Sequence, residues 1–389
     1  MNKIINNKWM LIFFIVPFFK PICFQYISGM IIIDEIFVIW KIIAAAIITI
    51  LFILFAFRKK IIPKSILSVF MFELTILFTT IINKGDIKRA LIDMVTIVSF
   101  SMLIYLTIRY NYKGFCEIIN KVLSLLMIFN LIIMLIYPNG LKAELYTNLE
   151  NPLYFMTTDN GTSLFILTTM FMNVMYSLIN NKKINKFIIC SCFFSAIVSK
   201  SSTAIIASTL FIIYIIFFYK KNISKIFNPY IMFTTYIGIF FITLSGKAMI
   251  FNPIIEWIFN KNLSFTGRDR LWSAAIELIK KEPFIGYGVI ENNYINIWGG
   301  KFSSHNFILE LLLQGGIFSL IVFIYVILRA INNQNRYRNN NISNLLVAIL
   351  FFMCISILME STVHSVYLFT IIVLSLELPL IIKKTKRND

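Results

Sequence analysis

The chain alternates between long apolar runs and short polar breaks. Runs of about 20 apolar residues match a helix crossing the hydrocarbon of a bilayer. By run length the sequence predicts about twelve such helices. They fall near residues 9–27, 36–57, 64–82, 90–108, 118–137, 161–179, 187–199, 203–219, 229–245, 307–330, 344–359 and 366–382. The seventh and eighth are short and joined by "SKSSTA", which reads either as a tight outer turn or as a kink in one span. A membrane β-barrel would instead show alternating strands of about 10 residues. The fold class predicted is therefore all-α, a polytopic transmembrane bundle, with residues 1–389 as a single membrane domain.

Composition agrees with this pattern. Hydrophobic residues make up 59% and charged residues 14%, and mean hydropathy is +0.82. Soluble domains carry about half apolar and a quarter charged residues. The opening "MNKIINNKWMLIFFIVPFF" has a basic start but no small-residue cleavage site, so the first run is predicted to be a retained span. Five scattered cysteines without a CxxC pair argue against a disulfide framework or a zinc site.

The net charge of +18 changes the picture only through its placement. Alternate loops hold the cations: Arg58, Lys59, Lys60 and Lys64; Arg109 and Lys113; Lys182, Lys183 and Lys186; Lys220, Lys221 and Lys225. Arg329, Arg336 and Arg338, then Lys383, Lys384, Lys386 and Arg387, continue the series. The positive-inside rule puts these loops and both termini in the cytoplasm. A nucleic-acid partner is set aside on the same ground, and membrane lipids are the expected surroundings. Residues 138–160, with Glu144, Glu150 and Asp159 against Lys142, then face outward, as does the long segment 246–306. A structureless loop of that length is unusual, so it is predicted to be folded and to carry the chemistry.

Within it, "TGRDRLWSAAIELIKKEPFIGYG" starts at Thr266. Thr266 and Asp269 fit a capping box ahead of an amphipathic helix, and Pro283 ends it. Leu271, Trp272, Ala275, Ile276 and Ile279 share one face, which rests either on the outer leaflet or on the bundle. Arg268 and Arg270 sit in the first turn, where the helix dipole disfavours cations. An anion there would offset that cost, and guanidinium groups hold phosphate or pyrophosphate bidentately. The alternative is that they pair with Asp269 or lipid headgroups. Lys200, in "VSKSSTA", either joins an anion site or snorkels to the headgroups. Gly286 and Gly288, in "GYG", fit a tight turn where a side chain would clash. Glu73, near mid-span, reads as a buried helix–helix contact.

Only two histidines occur, His305 and His364. A histidine titrates near neutrality and can take a proton from a sugar hydroxyl. His305, in the polar "SSHN" at the start of an apolar helix, is the candidate base, with Asn306 in support. His364, in "MESTVHSV" with Glu360 one turn away, is the runner-up. Ligand spacing for a metal is lacking, and no metal or other cofactor is expected.

"TGRDRLW", then "PFIGYG", then "SSHNFILELLLQGG" resembles the bacterial O-antigen polymerase and O-antigen ligase superfamily, to which capsular polysaccharide polymerases are similar. "VPFFKP" and the "SKSSTA" hairpin also look like this group, and the motifs lie chiefly in residues 198–316. The resemblance implies a protein of the cytoplasmic membrane with a glycosyltransferase C-like fold. It implies glycan substrates on undecaprenyl pyrophosphate in the outer leaflet, transferred to an acceptor hydroxyl without nucleotide sugar or metal. The family's arginine falls on Arg268 and its histidine on His305. Many members carry arginine where this chain has Lys200, which keeps the charge but loses the fork, so that role stays open. The expected function is a repeat-unit polymerase of surface polysaccharide, in keeping with a Lys-, Asn-, Ile- and Phe-rich composition. An O-antigen ligase acting on lipid A–core is the alternative, and a flippase or transporter comes third. A chain-length regulator and a flippase are the candidate protein partners.

Overall fold

The structure, a computed structural model, describes residues 2–142, 152–158, 161–219, 227–245, 268–291, 293–297 and 300–385. Thr266, Glu144, Glu150, Asp159, Lys220, Lys221, Lys225, Lys386 and Arg387 lie outside the described residues. So do all of residues 246–267.

Helices fall on every apolar run. They are α1 (Lys8–Ile15), α2 (Ile31–Lys59), α3 (Lys64–Ile82) and α4 (Ile87–Ile136). α5 (Thr162–Asn180), α6 (Lys186–Val198), α7 (Ser202–Phe217) and α8 (Pro229–Leu244) follow. After α9 (Arg268–Lys281) come α10 (Phe307–Arg336), α11 (Asn341–Ile357), α12 (Val366–Leu376) and α13 (Leu378–Thr385). Among the described residues, 5 helices are long and apolar enough to cross a membrane, or 6 if α12 and α13, bent by 61°, count as one. α2 shows Ile32, Ile36, Ile39, Ile42 and Ile50 on its outside, an apolar surface suited to lipid. α5 and α12 are instead buried along nearly their whole length and form the centre of the bundle.

The runs at 90–108 and 118–137 are not separated by a loop. They form one helix, α4, broken at Asn111 (φ −152°, ψ 57°). At 1.5 Å per residue its length is about 75 Å, more than twice the hydrocarbon thickness, so the break divides it into two span-length halves. Asn111 makes the break by capping: its side chain accepts from the Gly114 N–H at 3.1 Å and donates to the Ile5 carbonyl at 3.2 Å. "SKSSTA" is a tight turn with Lys200 in the left-handed region (φ 54°), and Ser201 caps α7.

The all-α expectation misses one short hairpin, β1 (Ile295–Ile297) against β2 (Gly300–Phe302), antiparallel with Ile295 opposite Phe302. α9 ends at Lys281, two residues before Pro283, as expected. Its apolar face rests on the bundle: Leu271, Trp272 and Ala275 pack with Leu309 and Leu313 of α10 and with Ile295.

α10 is broken at Gly316 (φ 61°, ψ −163°), a conformation that only glycine adopts readily. The backbone groups freed by the break pair with residues 283–288. Ile317 N–H donates to the Pro283 carbonyl at 2.9 Å, and Tyr287 N–H to the Leu313 carbonyl at 2.7 Å. Gly288 N–H donates to the Gln314 carbonyl at 2.9 Å. A side chain on Gly316 would meet the Phe284 carbonyl at 2.2 Å, and one on Gly286 the Leu313 carbonyl at 2.6 Å. "GYG" and "QGG" are thus the two halves of one backbone contact. Gly316→Ala is expected to lower stability by more than the roughly 1–3 kcal/mol of a strained backbone residue, because the clash adds to it. A thermal melt of the detergent-purified protein, several degrees below the parent, checks this.

Candidate functional site

The site is built on the turn from Ser303 to Asn306, between the hairpin and α10. Asn306 starts α10 by accepting from the N–H groups of Ile308 (3.0 Å) and Leu309 (3.1 Å). Its amide also donates to the Leu358 carbonyl at 3.0 Å, tying the turn to the segment after α11. Ser304 is buried. Its N–H and its hydroxyl both donate to Glu310 Oε2, at 3.0 and 2.8 Å. The Ser304 hydroxyl also lies 2.9 Å from the Asn306 carbonyl. Between these anchored neighbours His305 takes a left-handed backbone (φ 47°). A non-glycine residue held there costs energy, and such residues cluster at functional sites.

The His305 ring is half-buried, and neither nitrogen is engaged by another described residue. Arg268, at the start of α9, lies within electrostatic reach of it. Burial first, and the Arg268 charge second, push the imidazole down from 6.5 to about 4. At neutral pH the ring is therefore uncharged, with a lone pair available for a proton. Arg268 and His305, 37 positions apart in sequence, are thus within electrostatic range of each other. Arg270 stands exposed one residue past Asp269, and Lys200 is exposed at the α6–α7 turn. Gly286 and Gly288 serve the helix break and the packing against α3, where a side chain on Gly288 would meet the Thr80 backbone at 2.5 Å.

His364 occupies a different setting. Its Nδ1 is 3.0 Å from Glu73 Oε2 and its Nε2 3.3 Å from Gln314 Oε1. Both partners are oxygens, so both ring nitrogens donate, which suits the imidazolium. The ring is thus committed to an ion pair with Glu73 of α3, and not to Glu360, one turn away in sequence. Arg89 and Asp93 of α4 lie near enough to act on it electrostatically. Arg89 also bears on Glu310 and Tyr294, on the His305 side. Glu73 is buried, but in place of the expected helix–helix contact its partner is His364, in the turn before α12, and its second oxygen has no hydrogen bond among the described residues.

Sequence reading passed over Ser304 and Gln314. The signal for Gln314 was available: a polar residue beside a glycine pair inside an apolar helix. Ser304 had none, since its role depends on a carboxylate six positions later. Among the described residues no three His, Cys, Asp or Glu gather as metal ligands.

Residues 187–324 match a family model described as O-antigen ligase. No curated protein and no solved structure matches the chain. The matched segment contains Lys200, Arg268, Arg270, Gly286, Gly288, His305 and Asn306; Glu73 and His364 fall outside it.

With two histidines in the chain, their ring protons are separable by nuclear magnetic resonance, using His364→Asn for assignment. His305 is expected to titrate near 4 in the substrate-free protein. Arg268→Gln removes a repelling charge, so the titration moves upward, yet stays below the ordinary value of 6.5 because burial is the larger cause.

Proposed function

We propose that this chain, whose residues 187–324 match the O-antigen ligase family model, is a member of the O-antigen polymerase and ligase superfamily and joins lipid-linked oligosaccharide repeats into surface polysaccharide. The observation that supports this reading best is a neutral, half-buried histidine within electrostatic range of a cation: His305 and Arg268. Transfer of a glycan from a pyrophosphate carrier needs those two functions. The bond from the anomeric carbon to the pyrophosphate oxygen breaks while a bond to the acceptor hydroxyl oxygen forms. The electron pair leaves with the pyrophosphate, an anion that Arg268 stabilises, with Arg270 and Lys200 as further cations. The hydroxyl proton passes to His305. A bound pyrophosphate also offsets the Arg268 charge that holds the imidazole down, so the base strengthens as the donor binds. Direct displacement inverts the anomeric centre, and the remaining rate enhancement comes from positioning.

On this reading the protein resides in the cytoplasmic membrane with both termini inside, and the site opens to the outer face. Undecaprenyl pyrophosphate is the released carrier. No metal or cofactor takes part. A flippase supplies the donor, and a chain-length regulator acts on the product. The description of the matched family favours a second reading, transfer of finished glycan to lipid A–core, which uses the same residues with a different acceptor.

His305→Ala is expected to lose about 10²–10⁴-fold in polymerisation at normal membrane levels, the span of general base catalysis. Arg268→Ala should lose activity likewise, and Arg268→Lys should recover only part, because lysine lacks the bidentate fork. Lipid-linked repeats incubated with the purified variants and resolved by gel give the readout, and full-length polymer from His305→Ala would sink the assignment. Gene deletion separates the two readings: single repeats left on the core mark a polymerase, and a bare core marks a ligase.

A further inference from the structure

A line of polar side chains joins the buried ion pair to the turn that carries His305. Glu73, 1% exposed, holds His364 Nδ1 at 3.0 Å. His364 Nε2 is 3.3 Å from the Gln314 side-chain oxygen. The Gln314 side chain bears on the Glu310 carboxylate. Glu310 in turn accepts both hydrogen bonds from Ser304, directly before His305. Every member is anchored. The Gln314 carbonyl accepts from Thr79 Oγ1 at 3.0 Å as well as from Gly288 N–H, so its backbone is held at the break of α10. A second tie runs from Ser361, three residues before His364, whose hydroxyl donates to Ser303 Oγ at 3.1 Å.

A buried ion pair is weak as a stabiliser, since desolvation offsets much of the attraction, and it is retained where it specifies a geometry. The geometry this one bears on is the turn at His305. His305 has a strained backbone, and a turn in that conformation relaxes unless its flanks are held. Glu310 holds the flank at Ser304. Its carboxylate is within reach of the Gln314 side chain, whose oxygen is in turn met by His364 Nε2. We propose that Glu73 and His364 form a positioning pair for His305, acting through Gln314 and Glu310, and do not touch the substrate. This rests on the reading of His305 as the base. Arg89 and Asp93 are the other charged groups facing His364, and Arg89 also faces Glu310, so the pair and the turn share one electrostatic surround.

The test uses full-length protein in detergent with an undecaprenyl-pyrophosphate-linked oligosaccharide as donor and acceptor. Glu73→Gln and Gln314→Ala are each expected to lower kcat by about 10- to 100-fold with KM within about twofold, as misplacement of a base predicts. Each is then combined with His305→Ala and followed in long single-turnover reactions. With the base gone there is nothing left to position, so the residual rate should change by less than about twofold. A multiplicative fall in the double variants, or a rise in KM with kcat unchanged, overturns the proposal. So does unchanged turnover in both single variants while His305→Ala is inactive. Should Glu73→Gln fail to accumulate in the membrane, Gln314→Ala decides alone, because its side chain is only partly buried. Full activity of His305→Ala would instead remove the underlying reading of the base.

Discussion

The break in α10 at Gly316 is the constraint on which the site depends. A helix buried in apolar surroundings cannot leave backbone N–H and carbonyl groups unpaired without a cost of several kcal/mol each. Here residues 283–288 supply partners for the broken turn. The exchange docks residues 283–288 into the bundle and fixes the register between α9 and α10. It also leaves Gln314 at the break, where its side chain reaches His364. The glycines at 286 and 316 are there because two backbones approach closer than a side chain allows.

The chemistry follows from what that docking brings together. α9 packs Leu271, Trp272 and Ala275 against α10, and so sets Arg268 near His305. A cation at a helix start is costly on its own, and a buried imidazole is a poor proton acceptor on its own. Side by side the two liabilities suit one task. On the proposed reading, an anion arriving near Arg268 eases the field that keeps the imidazole weak. The two histidines divide between roles for the same physical reason. His305 keeps its nitrogens unengaged by other described residues, whereas His364 spends both, on Glu73 and Gln314.

Much of this architecture was legible in the chain. Apolar run length marked the long apolar helices, because a bilayer span sets a minimum length for them. Asn306, Ser201 and Asn185 start their helices through local hydrogen bonds that need only neighbouring residues. The end of α9 before Pro283 was legible for the same reason. The continuity of α4 through Asn111 was not, since the break rests on a contact with Ile5 more than a hundred positions away. The hairpin was hidden too. Its strands are three residues each, too short for an alternating pattern to show.

The sequence by itself determined the class of fold, an apolar polytopic helical protein, and the residue types at the site: Arg268 at a helix start, His305 ahead of another, and paired glycines. Those are local properties, set by periodicity, capping and backbone freedom. Only the tertiary structure decided which of two histidines stands open beside a cation and which is locked to a carboxylate. That choice turns on Glu73, Gln314 and Ser304, whose partners lie 291, 50 and 6 positions away. Hydrogen bonds across such separations are made by packing, and packing leaves little trace in the order of residues along one chain.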